Sequence, residues 1–245
     1  MDYNNRNVTP PPYYGNGGGY DNGAAVTLQT NAVMKRVYVR MFIGLLVSAF
    51  CALGVASSET LLQLFVANSF VYWGMFIGLF VMAWVLPARL TRMSTGAVLG
   101  CFVLFAALMG ASLAPIFLIY NLGTITYTFF ITAGTFGAMS VFGYFTKTDL
   151  TKMGSFLFMA LIGLIIASVV NMFVASSTFD WVISIAGVLI FVGLTAWDTQ
   201  QVKRLAAANL EPSLADKLAT IGALSLYLDF INLFLYLLRI FGNRD

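Results

Sequence analysis

Two aspartates in this chain stand where a carboxylate is costly, and where it could carry a proton or hold a cation. Asp198 closes the apolar run W-V-I-S-I-A-G-V-L-I-F-V-G-L-T-A-W, and Asp229 interrupts S-L-Y-L-D-F-I-N-L-F-L-Y-L-L. An acid in a lipid-embedded helix costs ~2.5–3.5 kcal/mol on insertion scales, so it is expected to face the protein interior and to have a task. Of ten acidic residues, only these two are clearly inside such runs. A deprotonated pair is a hard oxygen site suited to calcium, which takes about 6–8 oxygen ligands. Two carboxylates alone make no tight cage, and weak binding is what a conducting path needs, because the ion must also leave. Asn232, three residues after Asp229 on the same helix face, could add an amide oxygen or hold an aspartate; Thr195 and Thr199 flank Asp198. A structural acid pair, protonated and hydrogen-bonded to brace a hairpin, is the competing account.

The elements that position these residues are read from hydropathy. Sixty per cent of the chain is apolar and nine per cent charged, against a usual charged fraction of ~25%. A bilayer core of ~30 Å needs ~20 apolar helical residues, and seven stretches qualify: 37–57, 69–87, 96–119, 124–145, 153–175, 181–203 and 218–240. None alternates in polarity as a β-barrel strand would, so an all-α membrane protein is expected, one domain over 26–245. Residues 1–25, with P-P-P-Y-Y and Y-G-N-G-G-G-Y, are expected to be a disordered Gly/Tyr/Pro-rich tail. That start is not expected to act as a signal peptide, since no short apolar region follows early positive charges. A short interfacial helix over 24–36 could precede the first span.

Basic residues set the expected orientation. Arg6, Lys35, Arg36 and Arg40 precede or open the first span. Arg89 and Arg92 follow the second, Lys147 and Lys152 lie between the fourth and fifth, and Lys203, Arg204 and Lys217 flank the last connection. The alternate loops 58–68, 120–123 and 176–180 contain no Lys or Arg. The N-terminus is therefore expected in the cytoplasm. Arg239 and Arg244 follow the last span, against the rule if all seven segments cross. Trp73, Trp84, Trp181 and Trp197 lie near span ends, as an interfacial belt would place them. Gly74/Gly78, Gly96/Gly100, Gly110/Ala114 and Gly134/Ala138 are spaced for close helix approach.

Composition excludes several chemistries. The chain has no histidine, which removes Ser–His proteolysis, His-ligated metal or haem, and a histidine pH switch. Cys51 and Cys101 have no CxxC spacing and read as packed small residues. No phosphate-binding glycine pattern lies on a strand–helix unit, and no nucleophile–base set is present, so an enzyme is not expected. No cofactor is called for beyond calcium as a transported ion. The net charge of +3 is spread over loops, which gives no support for nucleic acid as a partner.

In an antiparallel hairpin, residues of equal depth have a roughly constant sum of positions. Asp198 and Asp229 are centred beside Pro212 and Ser213, which predicts similar depth on adjacent helices, two to three turns from the connection. If they face one another, both cannot ionise cheaply, and the pair would share a proton. Arg89, at the end of the second span, is a candidate counter-ion; Arg92 and Arg40 are weaker ones. The ordinary role for all three is to snorkel to head groups.

F-T-K-T-D-L-T-K-M-G-S-F-L, T-A-W-D-T-Q-Q-V at 195–202 and A-L-S-L-Y-L-D-F-I-N-L-F-L-Y-L-L-R-I-F-G resemble the Bax inhibitor family, also called the transmembrane Bax inhibitor motif or lifeguard family. The resemblance covers roughly 30–242, and the compact loops look like a bacterial member. It implies a seven-transmembrane helix bundle with the last helix central, in the bacterial cytoplasmic (inner) membrane. The implied function is a pH-sensitive calcium leak channel whose paired acids match Asp198 and Asp229. Thr146, Lys147 and Asp149 look like a family loop signature, and a helix cap with a solvated turn explains them as well. Two other classes stay open: a regulatory protein that binds a membrane protease or quality-control complex, and a proton-coupled transporter for a small solute. The partners implied are the lipid bilayer, calcium and, in the regulatory reading, another membrane protein.

Overall fold

Seven helices in the computed structural model are long and apolar enough to cross a membrane. The structure describes residues 18–208 and 210–242. In chain order the helices are α1 (Gly18–Ala56), α2 (Glu59–Leu62), a π turn (Gln63–Ala67), α3 (Ser69–Ala88), α4 (Thr95–Leu113), α5 (Ile116–Ile119), α6 (Leu122–Phe145), α7 (Thr151–Val174), α8 (Ser177–Ala207) and α9 (Pro212–Phe241). No strand occurs among the described residues.

Short polar residues start the helices. The side-chain oxygens of Asn68, Ser94, Asn121 and Ser176 accept from backbone N–H groups of the first turns of α3, α4, α6 and α8, which pairs donors that the helix itself leaves free. Pro212 opens α9, its fixed φ suiting a first helical position. The expected third span, 96–119, is broken after Leu113 because Pro115 lacks an N–H and crowds the preceding turn. The helix expected at 24–36 is not a separate element. It runs unbroken into the first span as part of α1, which starts at Gly18 and so takes in the end of the expected 1–25 tail. The remainder of that tail, 1–17, lies outside the described residues.

The last helix is the centre. Two thirds of the most apolar window of α9 is buried (67%), against 11% for α7 and 17% for α3. It packs against α8, α1, α6 and α4, while α7 rests on α8, and α3 on α4 and the π turn. Tyr227, Leu226, Leu233 and Leu238 of α9 and Phe102 and Phe105 of α4 are among the largest fully buried side chains. The outer faces are apolar too, with Phe70, Trp84, Phe156 and Phe173 exposed, the pattern of a bundle solvated by lipid.

Two sequence patterns divide. Gly110 sits at a close approach, where an added Cβ would run into the Ser48 carbonyl of α1. Gly74, Gly78, Gly96, Gly100 and Gly134 would meet nothing within 4 Å. Trp73, Trp84 and Trp181 are exposed, as a belt requires, whereas Trp197 is half-buried with its ring packed on Gly154 of α7.

Candidate functional site

The two intramembrane aspartates come together. Asp198 is half-buried on α8, and Asp229 is 4% exposed on α9. Their carboxyl groups are within hydrogen-bonding reach of each other. Asp229 Oδ2 has no conventional donor among the described residues. Asp198 lies nine residues before the end of α8, as expected, but Asp229 is seventeen after Pro212 rather than two to three turns. α8 ends at Ala207 and α9 begins at Pro212, so Pro212 opens the helix after the turn instead of centring it.

On one side, a cavity of about 100 Å³ runs from Asp198 and Ser225 past Val33 and Gly222 to Leu210 and Ala215 beside that turn. On the other side, Phe230, next to Asp229, packs edge-on against Phe129 and Phe136 of α6, both with ring centroids 5.5 Å away. Phe129 and Phe230 in turn line a second, apolar cavity of about 110 Å³ that reaches Ser48 of α1.

The expected supporting groups are arranged differently. The Thr195 hydroxyl donates to the Phe191 carbonyl on its own helix, at 2.7 Å. The Asn232 amide donates to the Leu228 carbonyl at 2.8 Å. Thr199 is fully buried, and its hydroxyl has no partner among the described residues. Arg89 is exposed at the C-terminal end of α3 and makes no ion pair among the described residues, so it is not brought to the aspartates as a counter-ion. Its helix packs on α4 and the π turn, which explains the separation. No three His, Cys, Asp or Glu side chains gather to hold a metal among the described residues; Asp198 and Asp229 are the whole acidic contribution.

Sequence reading missed three polar ties. Arg40 of α1 pairs with Asp216 of α9 at 2.7 Å and also donates to Thr220 at 2.8 Å, with Arg36 reaching the same carboxylate at 3.2 Å. Ser48 of α1 meets the Tyr227 hydroxyl at 2.6 Å and donates to the Ala106 carbonyl of α4 at 2.7 Å. Arg239, the cation on the wrong side for the charge bias, approaches Asp180 at 3.7 Å. A lone Ser in an apolar run carries no periodic signal, and the Arg40–Asp216 tie spans most of the chain, so neither was visible locally.

The family model described as inhibitor of apoptosis-promoting Bax1 matches residues 30–245. The Escherichia coli K12 inner membrane protein YbhL is 45% identical over 213 residues, 86% of this chain and 91% of that protein. A Borreliella burgdorferi protein is 45% identical over 215 residues, 87% and 93% of the two chains. A Streptococcus pyogenes serotype M3 membrane protein is 38% identical over 217 residues, 88% and 94% of the two chains.

Proposed function

The chain belongs to the Bax inhibitor family of multi-pass membrane proteins, and from that premise we propose that it is a pH-sensitive calcium leak channel of the bacterial cytoplasmic membrane, gated by Asp198 and Asp229. The observation that carries the reading is the meeting of two carboxyl groups between α8 and α9, with no ion pair to either among the described residues. A carboxylate can only accept, so two in hydrogen-bonding reach share a proton. With the proton in place, the pair clips α8 to α9 and the Phe129–Phe136–Phe230 cluster stays closed beyond it. Loss of the proton leaves like charges side by side in a weakly screening interior and shifts the packing of the two helices. The unpaired Asp229 Oδ2 and the Thr199 hydroxyl, both buried, offer oxygens to a partly dehydrated calcium ion. Two carboxylates hold it weakly enough to release.

A cytoplasmic N-terminus is supported by Arg89, Arg92, Lys147, Lys152, Lys203, Arg204 and Lys217, which flank alternate connections of the bundle. The cavity below Asp198 then opens toward the cytoplasm. Movement of the ion is passive.

The test is calcium flux into liposomes carrying purified protein at pH 6, 7 and 8, beside the Asp198→Asn/Asp229→Asn variant. Flux that varies with pH in the parent and not in the variant is the expected result. Identical pH dependence in the two would remove the pair as sensor. A parent that conducts no better than empty liposomes would sink the leak and leave the regulatory reading.

A further inference from the structure

A cluster of cations lies apart from the acid pair, where α6, α7 and α8 meet. Lys147, Lys203 and Arg204 line a recess of about 250 Å³ together with Tyr144, Thr146 and Gln200. Its wall, the α6–α7 connection, is fixed in place. The buried Gln200 amide accepts from the Leu150 N–H at 2.9 Å and donates to the Thr148 carbonyl at 2.8 Å. Arg204 pairs with Asp149 and donates to Thr151 at 2.7 Å and to Gln200 at 2.8 Å. The Thr151 hydroxyl and the Arg204 guanidinium hold the Asp149 carboxyl well below the usual carboxylate range.

The three cations differ in what they have left to give. Arg204 is committed to the connection. Lys203 donates one proton to the Tyr144 carbonyl at 2.6 Å, with its ammonium 4.3 Å from that ring's centroid; an ammonium has two more. Lys147 is exposed and makes no hydrogen bond or ion pair among the described residues. The Thr146 hydroxyl accepts from the Thr148 N–H at 3.3 Å, and its own proton remains to be donated. Asp149 is the one acid in this cluster, so the recess carries net positive charge. In the last two turns of α6, Val141, Phe142 and Phe145 are half or more exposed, an apolar lane leading to the charge.

We propose that this recess binds a phosphate group, with Lys147 and Lys203 as its principal ligands, and that the phosphate belongs to the head group of an anionic lipid whose chains lie along Val141, Phe142 and Phe145. Basic recesses between transmembrane helices are suited to such head groups, and lysine ammoniums serve as point charges for phosphate. The proposal is independent of the leak.

The test is the shift in unfolding midpoint of the detergent-purified full chain on adding phosphatidylglycerol, phosphatidylcholine or inorganic phosphate, since a ligand that binds only the folded state raises it. Phosphatidylglycerol is expected to raise the midpoint more than phosphatidylcholine. Lys147→Gln should shrink that difference and Lys147→Gln/Lys203→Gln abolish it, while Lys152→Gln, a cation near the same end but outside the recess, should leave it intact. A matching shift with inorganic phosphate, lost in the same variants, would assign the site to a soluble phosphate instead of a lipid. No shift with either, or equal loss in Lys152→Gln, overturns the proposal. Because Lys203 also holds Tyr144, the single Lys147→Gln variant keeps the result readable if the double variant folds poorly. Native mass spectrometry of retained phosphatidylglycerol gives a second count.

Discussion

Tyr227 lies two positions before Asp229, and its hydroxyl is fully buried against Ser48. Ser48 has one proton, directed at the carbonyls of Ala106 and Gly44, so Tyr227 is the donor between the two hydroxyls. The two deletions are therefore unequal. Tyr227→Phe leaves Ser48 bonded to its carbonyls, and its expected cost is near the average interhelical bond in a membrane, about 0.6 kcal/mol. Ser48→Ala strands a buried hydroxyl and is expected to cost about 1–3 kcal/mol. Midpoints of unfolding in mixed detergent would read the difference, and equal costs would mean that the Gly44 and Ala106 carbonyls do not hold Ser48 once Tyr227 is truncated. Residue-level legibility was uneven for a physical reason. An aspartate in an apolar run announces itself by its desolvation cost, so Asp198 and Asp229 were readable. A serine there is cheap because it can bond its own helix, so the role of Ser48 was hidden. Arg89 carried two readings, because a cation closing a span can snorkel outward as readily as turn inward, and its exposed side chain fits the outward one.

At the scale of elements, hydropathy placed the seven long apolar helices because each apolar run is about as long as the bilayer core is thick, and the helix starts followed Asn, Ser and Pro. What hydropathy missed was polar detail at the ends: the break at Pro115, the continuity of α1, and the side-chain clamp on the α6–α7 connection. Gln200 lay inside T-A-W-D-T-Q-Q-V, but only the fold shows that its amide caps a loop fifty residues upstream. Part of that clamp depends on the charge of Asp149. A carboxyl held lower in the folded chain than in the unfolded one stabilises fully above its ordinary value of about 3.9, and the stabilisation is lost as pH falls below that value toward the folded one. Amide exchange at Thr151, whose N–H donates to Asp149 at 3.0 Å, is thus expected to accelerate, relative to exposed amides, as pH falls below 4. Asp149→Asn should show the faster exchange already at neutral pH. No change in either condition would mean that Gln200 alone holds the connection.

Among the described residues, α1 is tied to α9 at two levels: Arg40 and Arg36 hold Asp216, and Arg40 also Thr220, near the start of α9, and Ser48 meets Tyr227 deeper in the bundle. The Arg40 side chain is 15% exposed and that of Asp216 22%, so the ion pair is mostly shielded. Asp216→Ala would leave Arg40 with Thr220 and a backbone carbonyl. A loss on the order of 1–3 kcal/mol is expected, from a buried donor left short of partners. The check is a double-variant cycle with Arg40→Ala; additive losses would show that the two side chains do not couple.

The central position of α9 also orders events during synthesis. Four helices pack on a segment that is made after all of them, so α1, α4, α6 and α8 are synthesised before their common partner exists. At ~5–20 residues per second, the 30 residues of α9 take roughly 1.5–6 s to be made. Until then Asp198 and Arg40 lack the α9 groups they meet in the finished fold, and Ser48 keeps only the carbonyls of Gly44 and Ala106, so lipid or water must occupy the place that α9 will fill. A chain that stalls before Pro212 is a shell without its axis, with Asp198 and Arg40 short of the partners that shield them in the finished bundle.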